Sequence, residues 1–314
     1  MKKAGSKSLF VIHPGTAGSA YRKMLATGVR AKILSNIMAR RAEVFTKDDA
    51  LRTLIANRLG WVDVAGQMVG RIGEIEAFGT DALKDGLNQI VLCGMGGSSL
   101  CPEVFNVMFG RRAGVKSIDI LDSTDPAAIK AVAGKLSLPN TLIIVASKSG
   151  GTIETRSHEA FFAAALKGAG IADIGRHFAV ITDPGSELES SARAAGYRQI
   201  FLNPADIGGR YSALSLFGLV PGWFAGVDLK KLLSSAVACE SILRERNDES
   251  NPALSLGALM AAGAISGRDK LTFVASKRMA PFVPWIEQLI AESTGKLGKG
   301  VIPIEGEPVA SITE

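Results

Sequence analysis

Three stretches of the chain carry residue types from which an anion site with acid–base chemistry could be built. In the first, Ser147-Lys148-Ser149-Gly150-Gly151-Thr152-Ile153-Glu154-Thr155 follows the apolar run Leu142 to Ala146 and leads into a segment of helical character. Glycines let a backbone approach an anion closely, the free N–H groups of a helix start point at it, and Ser and Thr hydroxyls add donors. The ligand implied is a phosphorylated small molecule. The other reading of the same residues is an ordinary βα loop in which Ser149 or Thr152 only caps the helix. In the second stretch, Gly94-Met95-Gly96-Gly97-Ser98-Ser99 lacks the G-x-G-x-x-G spacing of a dinucleotide loop. Ser98, at a helix start, reads as a second phosphate or sugar contact, or as a plain N-cap. The third stretch holds Gly208-Gly209-Arg210, where two glycines allow the backbone to carry a fixed cation into a cleft; a structural, salt-bridged arginine is the alternative. Farther on, Glu292 falls in the last turn of an expected helix, whose negative dipole end disfavours a charged carboxylate. An ordinary surface glutamate would look the same.

The elements that must position these residues are legible as short apolar runs alternating with helix-length segments, the pattern of βαβ units and a parallel sheet. Strands are expected at Gln89 to Cys93, Ser117 to Leu121, Thr141 to Ala146, Phe178 to Thr182 and Gln199 to Leu202. The glycine- and hydroxyl-rich sequences follow these runs, at the carboxyl edge where open parallel sheets bind ligands. Before the sheet, residues 1–82 read as helical. Thr46 with Asp49 resembles a capping box, and Gly60 is expected to close the helix that follows. After it come more helices, a strand at Leu271 to Ala275, a helix opened by Pro284 and ended by Gly295, and a strand at Val301 to Ile304.

Composition narrows the function classes. The chain has 314 residues, 47% of them apolar, enough for a large core or two domains. Cys93, Cys101 and Cys239 are scattered without metal-ligand spacing, which points to a reducing compartment and away from disulfides or zinc. Lys2 and Lys3 precede an apolar run, Leu9 to His13, too short for a signal peptide, and Ala253 to Ile265 is too short for a membrane span. A cytoplasmic location is therefore expected. The net charge of +6 owes much to Arg22, Lys23, Arg30, Lys32, Arg40 and Arg41. Met24, Leu25, Val29, Ile33, Leu34, Ile37 and Met38 fall between them at helical spacing, so these residues predict a solvated basic face over a packed apolar one. No groove-reading motif accompanies them, so no nucleic-acid partner is expected.

Taken in order, GMGGSSLCPEVF, LDSTDPAAI, SKSGGTIET, LNPADIGGRYSALSLFGLVP and WIEQLIAESTGKLGKG resemble the glucose-6-phosphate isomerase family, in particular the isomerase half of bifunctional transaldolase/glucose-6-phosphate isomerases. NRLGWVDV and NPALSLG fit that half too. The resemblance implies an α/β fold of the sugar isomerase (SIS) type, a parallel five-stranded sheet flanked by helices. It would comprise a helical N-terminal region over 1–82, a first SIS domain over 83–225, and connecting helices with an incomplete second SIS domain over 226–314. It implies an aldose–ketose isomerase of glycolysis and gluconeogenesis that interconverts glucose 6-phosphate and fructose 6-phosphate through a cis-enediol(ate), with no metal or organic cofactor, and a homodimer in the complete protein. By motif, Glu292 would be the base and Arg210 the cation that stabilises the intermediate. Ser98, Ser147, Lys148, Ser149 and Thr152 would hold the phosphate, with Gly97 and Gly209 at the substrate. A non-catalytic sugar-phosphate-binding SIS protein, or an isomerase of another sugar phosphate such as mannose 6-phosphate, fits the same motifs.

Two departures from the family pattern bear on this expectation. Gly151 stands where the family usually has Thr, removing a hydroxyl from the phosphate loop. The family's ring-opening histidine and its late lysine at the ring oxygen have no counterpart, since His13, His158 and His177 lie outside matching motifs. The reading therefore expects a chain shortened at its C-terminus, without a transaldolase half, with sugar-phosphate binding weak or absent and little or no turnover.

Overall fold

The computed structural model describes residues 11–246 and 248–308. Lys2, Lys3 and Leu9, on which the signal-peptide reading rests, lie outside them. The centre is a five-stranded sheet of β1 (Gln89–Gly94), β2 (Ser117–Leu121), β3 (Thr141–Ala146), β4 (Phe178–Thr182) and β5 (Gln199–Leu202). All pairs are parallel and the order is β2-β1-β3-β4-β5. Every residue of β1, β3 and β4 is buried, because helices cover both faces, and this is why these strands read as unbroken apolar runs. The register Gln89↔Ser117 and Gln89↔Thr141 aligns the carboxyl ends of β1, β2 and β3. Chain order reverses between β1 and β3, and at such a switch the following loops diverge and leave a crevice.

Alternate strand residues serve separate cores. Ile90, Leu92, Leu142, Ile144 and Phe201 pack with Met68, Ile75, Phe78, Leu216 and Phe224 on one face. Val91, Ile143, Val145 and Val180 pack with Phe162, Leu166 and Leu188 on the other. The helix Ile72–Lys84 buries Ile72, Ile75, Phe78 and Ala82, one stripe at helical spacing. The expected boundary between residues 82 and 83 falls inside this helix, which is part of the sheet's own layer. Leu229 and Leu233 of the helix Leu229–Glu245 join the same core, so the expected division after residue 225 also crosses a packed face.

Three local expectations are corrected. Asp48, not Thr46, caps the helix Asp49–Ala56, its carboxylate accepting from the N–H groups of Ala50 and Leu51. Gly60 does not end that helix; it donates its N–H to the Asp206 carbonyl at 2.9 Å, and a Cβ there would lie 2.1 Å from Asp206 Oδ1. The basic segment is two helices, Gly18–Arg30 and Ile33–Met38, broken at Lys32 with φ of +51°. That turn brings Met24, Leu34 and Ile37 around an apolar cavity of about 500 Å³ shared with Leu254 and Ala258 of the helix Pro252–Ile265.

Beyond the sheet, β6 (Lys270–Thr272) and β7 (Ile302–Ile304) pair in parallel on either side of the helix Val283–Thr294 in sequence. Both are shorter than expected because their pairing covers three residue pairs, from Lys270↔Ile302 to Thr272↔Ile304. Phe78 lies edge-on to both Phe201, at 5.1 Å, and Phe224, at 6.0 Å, tying helix layer to sheet. Phe78→Ala is expected to cost about 3–5 kcal/mol, read as a lower urea midpoint with unchanged slope.

Candidate active site

The loop after β3 turns on Gly150, whose φ is +74°. A Cβ at this position would come 2.7 Å from the Leu188 nitrogen, so glycine lets the loop close against the helix Glu187–Ala194. Ser147 Oγ accepts from the Gly150 N–H at 3.2 Å and donates to Thr152 Oγ1 at 3.1 Å, while Ser149 Oγ accepts from the Gly151 N–H at 3.3 Å. No side chain caps the helix Ile153–Gly168 that follows. The hydroxyls of Ser149 and Thr152 are thus not spent on a cap, and the positive end of a 16-residue helix faces this loop.

Lys148 stands differently from a simple phosphate ligand. Its ammonium is ion-paired with Asp183, at the end of β4, and donates to the Ala205 carbonyl at 2.6 Å. The side chain ties together the loops after β3, β4 and β5, and an anion would compete with these partners for it. Asp183 Oδ1 is buried without a hydrogen-bond partner among the described residues. Desolvation holds the Asp183 carboxyl above the usual aspartate range, outweighing the opposing pull of Lys148.

A cleft of about 480 Å³ opens between these loops. Ser147, Lys148, Ser149 and Thr152 line it from β3, Gly97 and the buried Ser98 from β1, and Gly209 from the loop after β5. Ser98 belongs to the 3-10 turn Gly96–Ser98 and caps no helix, which leaves its hydroxyl for the cleft. Gly97 meets Gly209 backbone to backbone: a Cβ on Gly97 would stand 2.3 Å from the Gly209 carbonyl oxygen. Directly after this contact, Arg210 Nη1 donates to Glu292 Oε2 at 3.1 Å and Arg210 Nε to Ser293 Oγ at 3.0 Å. Tyr211 Oη shares a 2.8 Å hydrogen bond with Ser293 Oγ, and its ring stacks on Trp61 at 5.2 Å. The arginine is therefore braced from behind. The Glu292 side chain remains 49% exposed; neither it nor Arg210 is among the residues that line the cleft, which reaches this pair through Gly209.

Sequence reasoning missed two side chains here. Gln288 lies one turn before Glu292, on the same helix face, and a Cβ on Gly96 would come 3.1 Å from its Nε2. Its Oε1 is buried without a partner among the described residues. The i, i+4 spacing to Glu292 was the available signal. Arg58 also lines the cleft, and its motif NRLGW carried no chemistry by itself. His158 and His177 are buried, each held by a backbone carbonyl at 2.9 Å, and neither lines the cleft. Burial pushes the Cys93 and Cys101 thiols up, Cys101 to about 12, so neither supplies a thiolate at neutral pH.

Two outcomes follow from this geometry. Because the native state holds the Asp183 proton more tightly than the unfolded chain does, this group's contribution to stability is complete below about pH 4. It is lost as the pH rises through the folded-state pKa. In a carbon-detected NMR titration, Asp183 should titrate above the ordinary aspartate value, and a midpoint at or below that value would contradict the desolvation argument. A Cβ at Gly151 meets nothing closer than Ser149 Oγ at 3.9 Å. Gly151→Thr should therefore fold normally and, by adding one donor, tighten inorganic phosphate binding about 2- to 10-fold, measured by calorimetry.

Residues 65–306 match the family model described as phosphoglucose isomerase. The chain is 33% identical over 245 residues to the glucose-6-phosphate isomerase of Citrifermentans bemidjiense, covering 74% of this chain and 46% of that protein. It is 32% identical over 260 residues to the enzyme of that name from Synechococcus sp. strain JA-2-3B'a(2-13), covering 82% and 48%. The chain thus spans about half the length of these curated relatives. Among solved structures, the hypothetical protein TT0462 of Thermus thermophilus superposes with a TM-score of 0.76 at 29% identity, over 92% of this chain and 68% of that one. A glucose-6-phosphate isomerase from Chlamydia trachomatis, at 21% identity and a TM-score of 0.67, covers 92% of this chain and 60% of its own, and it shares the fold. With this match across most of its length, the chain belongs to the phosphoglucose isomerase family.

Proposed function

We propose that these residues carry the phosphate cradle and the proton-transfer pair of an aldose–ketose isomerase that interconverts glucose 6-phosphate and fructose 6-phosphate. The observation that carries the reading is the Arg210–Glu292 pair, 3.1 Å apart, with Arg210 following directly on the cleft-lining Gly209. A binding protein has no need of a half-exposed carboxylate held by a cation opposite the sugar carbons.

In this reading the phosphate rests on the loop after β3, held by the amides around Gly150 and Gly151 and by the hydroxyls of Ser147, Ser149 and Thr152, with Ser98 across the cleft. The sugar runs past Gly97 and Gly209, which both line the cleft. Glu292 takes the proton from one of the two adjacent carbons, C1 or C2, and returns it to the other. Negative charge builds on the C1 and C2 oxygens in the enediol(ate), and Arg210, already fixed by Ser293, offsets it without rearranging. Remote phosphate binding keeps the reacting carbons in register, so the binding energy of the cradle is used at Glu292. A cytoplasmic location and a homodimeric complete protein are part of the same proposal.

Proton transfer on the open-chain sugar needs only Glu292 and Arg210, so it can be followed apart from ring opening. Fructose 6-phosphate incubated with the protein in D2O should gain deuterium at C1, and glucose 6-phosphate should appear with deuterium at C2. Glu292→Gln should lower the exchange rate about 10²- to 10⁴-fold while leaving fructose 6-phosphate binding in place. Binding without any exchange in the wild-type protein would sink the enzyme reading in favour of a sugar-phosphate-binding one.

A further inference from the structure

The two cations assigned to the site are both neutralised by carboxylates. Lys148 is paired with Asp183 and Arg210 with Glu292, so each pair brings no net charge to a phosphate dianion. A third cation faces the same cleft. Arg58 lines it together with Ser98, Ser147, Ser149 and Thr152. Its side chain makes one hydrogen bond, from Nη1 to the Asn57 carbonyl at 3.1 Å, and no carboxylate lies within ion-pair distance of it among the described residues. The residue is exposed.

The backbone under Arg58 is not free to drift. Leu59 pairs with Ile207 in an antiparallel bridge, and the Gly60 N–H donates to the Asp206 carbonyl at 2.9 Å. With a Cβ, Gly60 could not approach this closely, since the added atom would lie 2.1 Å from Asp206 Oδ1. Arg40 then bridges Asp63 and Asp206, the second contact at 2.8 Å, locking residues 59–63 to the loop that leads into Arg210. The guanidinium therefore lines the cleft from an anchor fixed relative to Gly209. Asp183 lines the same cleft, and the charge of Arg58 favours its ionised form.

We propose that Arg58 is a substrate-binding residue that closes the cradle over the phosphate from the solvent side and supplies the net positive charge that the paired Lys148 does not. The inference rests on the sugar-phosphate reading of the cleft. Arginine suits this place because its planar fork binds two phosphate oxygens at once and stays charged at every relevant pH. Without a bound anion the exposed guanidinium keeps its water, and on binding it exchanges that water for two charge-assisted hydrogen bonds.

The test is calorimetric titration of fructose 6-phosphate, and separately of inorganic phosphate, into the wild-type chain and into Arg58→Gln, Arg58→Lys and Ser149→Ala. Circular dichroism checks that each variant keeps the fold. Arg58→Gln is expected to weaken both ligands about 10- to 100-fold and to flatten the salt dependence of binding. Arg58→Lys should recover part of the affinity, since it restores the charge without the fork. If the wild type binds and Ser149→Ala weakens binding while Arg58→Gln does not, the role assigned to Arg58 is wrong and the cleft reading stands. If the wild type binds neither ligand, both are overturned.

Discussion

Gly97, at the carboxyl end of β1, and Gly209, after β5, touch through their backbones, with 2.3 Å separating an imagined Gly97 Cβ from the Gly209 carbonyl oxygen. These strands are not neighbours; β3 and β4 stand between them in the sheet. The contact therefore brings the loop after β5 back across the carboxyl edge to the loop after β1, with Gly209 lining the crevice and Arg210 following it. Ser212 reinforces it by donating from Oγ to the Gly209 carbonyl at 2.5 Å. A side chain at Gly97 would push the two loops apart, and with them would go the arginine, the serine behind it and the carboxylate it holds.

Electrostatics divide the cleft into two halves with different tasks. Around the β3 loop the attraction for an anion comes from backbone amides and hydroxyls, because Lys148 is committed to Asp183 and to the Ala205 carbonyl. That lysine works as a strut among three loops. Asp183, its partner, is ion-paired with it and largely shielded from solvent, so the pair is a structural joint between loops. At the other end, Arg210 and Glu292 are partly exposed, at 27% and 49%, and both remain reachable by a polar ligand. A joint that is closed and a pair that is open suit holding and reacting respectively.

The central sheet was legible because its strands are buried on both faces. Runs such as Thr141 to Ala146 and Phe178 to Thr182, bounded by polar residues and glycines, mark their own limits, and the observed strands coincide with them. The loops that line the cleft were legible for a related reason, since glycine and hydroxyl clusters follow the strand ends. What escaped was every feature set by a distant partner. Gly60 read as a helix terminator, yet its reason is Asp206, far along the chain. Lys148 read as an anion ligand because Asp183 could not be seen to face it. Thr46 and Asp48 compete locally for one cap, and short-range spacing could not choose between them. Arg58 came to line the cleft, and Gln288 to lie against Gly96, only once the loops around them were folded.

The account as a whole requires one hexose phosphate to touch the β3 loop and Glu292 at the same time. A crystal structure of the chain with fructose 6-phosphate bound tests this most directly. The account predicts phosphate oxygens on the hydroxyls of Ser147, Ser149 and Thr152, and a Glu292 carboxylate oxygen about 3–3.5 Å from C1 or C2 of the sugar. A phosphate seated elsewhere, or a sugar whose reacting carbons point away from Glu292 with the phosphate in place, would contradict it.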